Sequence, residues 1–148
     1  MRIDIYMDSD ARGTQTKNYG HTWYIMESIY KGKPISRKKS ITWMEHNRNG
    51  AIVEGLLYAL TQIKAAGAEV CLYTENVYTA GRFSPDQIRE WDISGYRNKD
   101  GTKIKYRELW SKIGDIVISQ SLNIVSMDKI PEEKKEEIFK IGERLKHA

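Results

Sequence analysis

Two carboxylates stand where apolar runs stop. Met1-Arg-Ile-Asp-Ile-Tyr-Met-Asp8 alternates Ile3, Ile5 and Met7 with Asp4, Tyr6 and Asp8, and it ends where Ser9, Asp10, Ala11, Arg12 and Gly13 begin a polar turn. Ala68-Glu-Val-Cys-Leu-Tyr-Thr74 ends in the same way, at Glu75. A carboxylate at the mouth of a sheet can hold a divalent cation through its oxygens, or it can simply start a turn. A second set is cationic: Arg97, Lys99, Lys103, Lys105 and Arg107 crowd one polar, glycine-punctuated stretch between Trp91 and Trp110. Cations on an exposed loop suit phosphate contacts along a duplex backbone. The tryptophans read as packing for that loop, and the lysines as the groups that bind.

The elements that must position these groups follow from periodicity. The first eight residues have the period of two of a strand with unlike faces, and such a strand is expected at the centre of a sheet. Tyr19–Tyr30 is rich in aromatic and β-branched residues, Lys31-Gly32-Lys33-Pro34 is a hairpin turn, and residues 35–44 return with a lysine-rich middle that suits an exposed edge. From Asn49 the spacing of Val53, Leu56, Leu57, Leu60 and Ile63 predicts a helix ending before Gly67. A buried strand at 68–74 then fits a parallel crossover. Asn76–Gly81 reads as a helical turn, and Ser84-Pro85-Asp86 as a helix start with proline at the first helical position. Residues 92–102 read as loop, Tyr106–Val117 as helix, Leu122–Val125 as a fifth strand, and Glu132–His147 as a last helix with acids early and bases late.

Composition narrows the class. A chain of 148 residues is expected to form a single domain, 1–148. Its single cysteine, Cys71, excludes a disulfide framework and a thiolate cluster and suits a reducing, cytoplasmic setting. The net charge of +4 leans towards a polyanion, weakly. No apolar run approaches the roughly eighteen residues that a membrane span needs, so no membrane partner is expected.

The order strand, strand, strand, helix, strand, helices, strand, helix, with Asp8 and Glu75 at two strand ends, resembles the ribonuclease H family. The most specific match is the ungapped stretch Trp91-Asp-Ile-Ser-Gly95-Tyr96-Arg97-Asn98-Lys99-Asp100-Gly-Thr-Lys103-Ile104-Lys105-Tyr106-Arg107-Glu108-Leu109-Trp110, which is similar to the basic protrusion of bacterial and cellular members. The resemblance implies an α/β fold with a five-stranded mixed sheet, three antiparallel strands then two parallel, and flanking helices. It also implies hydrolysis of the RNA strand of an RNA–DNA hybrid by carboxylates that hold two divalent ions, Mg or Mn.

Carried over residue by residue, the resemblance makes Asp8 the first ligand, Glu75 a second with one methylene more than the family's Asp, and Glu137 the last, since Pro131-Glu-Glu-Lys-Lys-Glu-Glu137 resembles the family's final helix start. The remaining acid is replaced: in Asn49-Gly50-Ala51-Ile52-Val53, Ile52 occupies its position. Glu54 lies two residues on, turned about 200° around the helix, and is expected on the solvated face. The family's mobile histidine has no counterpart, and His21, His46 and His147 read as surface or packing residues. Three functions stay open. The favoured one is a monomeric, backbone-recognising protein for RNA–DNA hybrid or duplex, contacting it through Trp91, Arg97, Lys99, Lys103, Lys105 and Arg107, with nuclease activity weak or lost and no cofactor. The others are an active metal-dependent ribonuclease using Asp8, Glu75 and Glu137 with Glu54 or water completing the shell, and an interaction domain that binds no nucleic acid.

Overall fold

The computed structural model describes residues 1–147. Three strands lead: β1 (Arg2–Ser9), β2 (Lys17–Tyr30) and β3 (Lys33–His46). Helix α1 (Arg48–Thr61) crosses to β4 (Glu69–Tyr73), and three helices, α2 (Val77–Arg82), α3 (Pro85–Ser94) and α4 (Arg107–Ser119), precede β5 (Asn123–Met127) and α5 (Glu132–Lys146). The sheet runs β3-β2-β1-β4-β5, with β1 antiparallel to β2 and parallel to β4. β1 is thus the central strand, and the lysine-rich β3 is an edge, as their patterns predict.

The alternation in β1 divides the core. Ile3, Ile5 and Met7 join Leu56 and Leu60 of α1 and Trp110 and Ile113 of α4 on one face. Tyr6, with Trp23 and Ile25 of β2, meets Ile138 and Ile141 of α5 on the other. Asp8 shares the face of Tyr6 by the two-residue period, so its carboxylate opens towards α5, whereas α1 packs on the opposite face. Helix starts are fixed by side chains: Asn47 accepts the Gly50 N–H, Asn76 that of Thr79 and Ser84 that of Gln87.

Several boundaries differ from the sequence reading, three of them informatively. β2 and β3 pair in one register from Lys17↔His46 to Tyr30↔Lys33, broken only at Asn18 and Glu45, so register carries both strands through polar residues that patterning reads as turn. Only Lys31 and Gly32 form the turn, both at positive φ, which matches the twist of the flanking strands. α1 stops at Thr61 rather than running on towards Gly67. α3 continues to Ser94, into the expected loop, until Gly95 ends it in the left-handed region at φ 70°.

One close approach sets how α5 lies on the sheet. A Cβ on Gly142 would fall 2.4 Å from the Trp23 ring, and the indole N–H of Trp23 donates to the Ile138 carbonyl at 2.9 Å. The ring is therefore seated across the α5 backbone, which fixes the rotation of that helix.

Candidate nucleic-acid interface and carboxylate groove

The C-terminal end of β1 meets α5 in a groove of about 410 Å³ lined by Asp8, Asp10, Arg12, Glu75, Lys135 and Glu143 among others. The structure thus brings Asp8 and Glu75 to one site. Asp8 is already engaged there. Its Oδ1 accepts from the Ser9 N–H at 2.8 Å and from Arg48 Nη2 at 3.1 Å, with Arg12 Nη1 at 3.8 Å. Arg48 also donates to the Ala11 carbonyl at 3.2 Å, and its own N–H to that of Gly13 at 3.3 Å, so it clamps the β1–β2 turn to the start of α1. Glu75 is exposed at the groove. Lys135 has its ammonium pKa raised, first by a hydrogen bond to Glu132 and then by the charges of Glu132 and Glu75.

The other acids are placed elsewhere. Glu137 is absent from the groove lining and lies 3.6 Å from Lys134, which also bonds Glu27 beside Tyr6. The α5 residues that do line the groove, Lys135, Ile138, Phe139, Gly142, Glu143 and Lys146, share one helical face, and it presents Glu143. Ile52 is wholly buried in the main core. Glu54 is neither at Asp8 nor free in solvent, because its carboxylate meets His46 Nε2 at 2.9 Å. That histidine packs against Trp43 and Tyr106. His21 likewise contacts Asp10, at 3.2 Å. Among the described residues, no group of three or more His, Cys, Asp or Glu side chains is placed to hold a metal ion. As placed, the Asp8 carboxylate is bound to the Arg48 guanidinium, and the Ile52 side chain brings no oxygen to the groove.

The cationic loop between α3 and α4 is a tight structure. An Arg97↔Lys103 bridge, the Asn98 N–H on the Thr102 carbonyl at 2.7 Å, and Ile104 N–H on Tyr96 at 3.2 Å close it. The Asp100 carboxylate accepts from the Thr102 hydroxyl at 2.6 Å and amide at 3.0 Å, and the hydroxyl bond is the main cause of its lowered pKa. Arg97 and Arg107 are partly committed to this framework, donating to the Gly101 and Gly95 carbonyls at 3.0 and 3.1 Å. Lys99, Lys103 and Lys105 are exposed, and none is in an ion pair among the described residues. All three line a groove of about 700 Å³ with Arg82 and Arg97. Trp91, 9% exposed, forms part of its floor, with Trp110 and Tyr96 centred 5.1 and 6.2 Å away. It is a packing residue with little face left for a base to stack upon.

Arg48, Arg12, Glu143 and Arg82 escaped sequence reasoning. Arg48 carried a signal. A cation in the first turn of a helix opposes the helix dipole, and α1 has no acid there to offset it, which points to an anion supplied from another element. Glu143 could have been found from the face of α5 that carries Phe139 and Gly142.

No protein-family model matches the chain, and no curated protein matches it. Solved structures do. RNase H1 from the halophilic archaeon Halobacterium salinarum NRC-1 superimposes with TM-score 0.56 at 14% identity over 100% of both chains. LC11-RNase H1, solved in complex with an RNA/DNA hybrid, gives 0.56 at 22% identity over 96% of this chain and 94% of that one. The native prototype foamy virus protease-reverse transcriptase gives 0.69 at 14% identity over 99% of this chain, which spans only 21% of the viral one. With the strand order and mixed sheet described above, these likenesses show that the chain has the ribonuclease H fold.

Proposed function

We propose that this protein binds the backbone of RNA–DNA hybrid or duplex nucleic acid through the loop between α3 and α4, and that its carboxylate groove is incomplete for two-ion hydrolysis. The observation that carries the binding reading is the trio Lys99, Lys103 and Lys105, exposed, free of ion pairs among the described residues and gathered around one groove. Cations held this way contact phosphates without reading sequence, and Arg97 and Arg107 stiffen the loop that presents them. The LC11 structure with an RNA/DNA hybrid supports the choice of ligand. The Asp8–Arg48 pair at 3.1 Å supports lost or weak nuclease activity, because a guanidinium on Oδ1 offsets the carboxylate charge that would attract a divalent ion and sets a like charge beside it.

Binding of this kind releases counterions. The logarithm of affinity should fall with the logarithm of salt concentration with a slope of about −0.9 per phosphate contact, hence roughly −3 for the three lysines and up to about −4.5 with both arginines. A salt titration of hybrid binding by fluorescence anisotropy measures it. Affinity indifferent to salt removes the reading. A second reading, a divalent-ion-dependent ribonuclease, is favoured only by Asp8 and Glu75 lining one groove. It predicts cleavage of hybrid in Mg or Mn that Asp8→Asn abolishes.

A further inference from the structure

At the other end of β1, away from Asp8, the long β2–β3 hairpin projects past the end of α1. The inner face it leaves there forms a groove of about 500 Å³, within the range of small-molecule sites. Ile3, Met26, Ile35 and Ile63 give it an apolar floor. Two features are not explained by packing. Tyr24 lines the groove, is 1% exposed, and its hydroxyl has no hydrogen-bond partner among the described residues. A buried donor without an acceptor costs about 1–3 kcal/mol, so a ligand acceptor there would recover that loss. The rim is also of one sign: Arg37, Lys39 and Lys64 line the groove and no acid does. None of these three is in an ion pair among the described residues. Lys39 pairs directly with Tyr24 across β2 and β3, and Arg37 with Met26, so register sets a cation beside the unpaired phenol.

We propose that this groove binds a small amphipathic anion: an acyl or aryl body on the Ile3, Met26, Ile35 and Ile63 floor, and one carboxylate that pairs with Lys39 and Arg37 and, once the side chains over the Tyr24 hydroxyl shift aside, accepts from it. The apolar floor separates this ligand from nucleic acid, whose backbone contacts need cations and no such surface. The site is independent of the loop between α3 and α4.

Sodium decanoate, with decanol as its neutral counterpart, tests the proposal on the intact protein by calorimetry and by amide chemical shifts. Decanoate should bind and move the resonances of Tyr24, Met26, Arg37 and Lys39, while decanol binds at least ten-fold more weakly. Tyr24→Phe should weaken decanoate about ten-fold, and Lys39→Gln about two- to five-fold. Both variants should leave hybrid affinity unchanged. Equal binding of decanol overturns the recognition of the anion, and no binding at millimolar decanoate overturns the site. Shifts elsewhere in the chain, an unaffected Tyr24→Phe, or displacement of decanoate by hybrid would also overturn it, the last by assigning the groove to the polyanion.

Discussion

Replacing Arg48 by alanine should separate a built-in cation from a metal site. Arg48 and Asp8 meet at 3.1 Å with side chains 20% and 24% exposed, so the pair is only partly screened by water. Hydrogen bonds to charged groups contribute about 1.5–3 kcal/mol each. Arg48→Ala also removes a donor from the Ala11 carbonyl, but Arg12 Nη1 still serves that oxygen at 3.1 Å, and the Ser9 N–H still serves Asp8 at 2.8 Å. The expected loss is therefore about 1.5–3 kcal/mol, the contribution of the ion pair alone. For a chain of this size that lowers the melting temperature by roughly 5–10 °C. Urea unfolding of Arg48→Ala, Asp8→Asn and the double variant should give a coupling of at least about 1 kcal/mol. The freed carboxylate should also respond to metal, so that millimolar Mg²⁺ raises the midpoint of Arg48→Ala and leaves the native midpoint in place. Additive effects of the two substitutions, or a native protein stabilised by Mg²⁺ as strongly as the variant, would refute the proposal that the Arg48 pair keeps Asp8 from a metal ion.

Gly142→Ala should destabilise the fold by about 1–3 kcal/mol in urea, even though alanine is about 1 kcal/mol the better helix former, because its Cβ would meet the Trp23 ring at 2.4 Å; a more stable variant would show that the ring does not seat α5. Lys103→Gln should reduce the salt slope of hybrid binding by about one and weaken all sequences alike, and a sequence-dependent loss would contradict backbone recognition. Stability should fall as pH rises above about 10. The phenol pKa of Tyr24 is raised mainly by burial, and that of Tyr73 is raised to about 12, first by the neighbouring Cys71 thiol and then by burial. The unfolded chain therefore loses those protons first, and the stability present below pH 10 is lost towards each folded-state pKa; Tyr24→Phe should flatten that slope in urea midpoints measured from pH 9 to 12.

The fold was readable because its signals are local. Alternation at Ile3, Ile5 and Met7 marks the central strand, and Ser84-Pro85 marks the start of α3 at the residues that cap it. The spacing of Val53, Leu56 and Leu60 gives the buried face of α1. The site was harder because its decisive features are not local. The presence of Glu143 in the Asp8 groove depends on the rotation of α5, which Trp23 fixes through Gly142 from a strand more than a hundred residues earlier. The Arg48–Asp8 contact joins residues 40 apart in sequence, and only the unusual cation in the first turn of α1 hints at it. Loop lysines are visible as charges in the sequence, whereas their freedom from ion pairs is a property of the folded loop.

The most direct test puts binding and chemistry in one tube: a labelled RNA–DNA hybrid, the purified protein and Mg²⁺ or Mn²⁺, with retention and strand length both read from the same sample. Salt-sensitive retention of an intact RNA strand, lost when Lys99, Lys103 and Lys105 are all replaced by glutamine, is the predicted result. RNA cleavage that Asp8→Asn abolishes, or no retention at low salt, would contradict it.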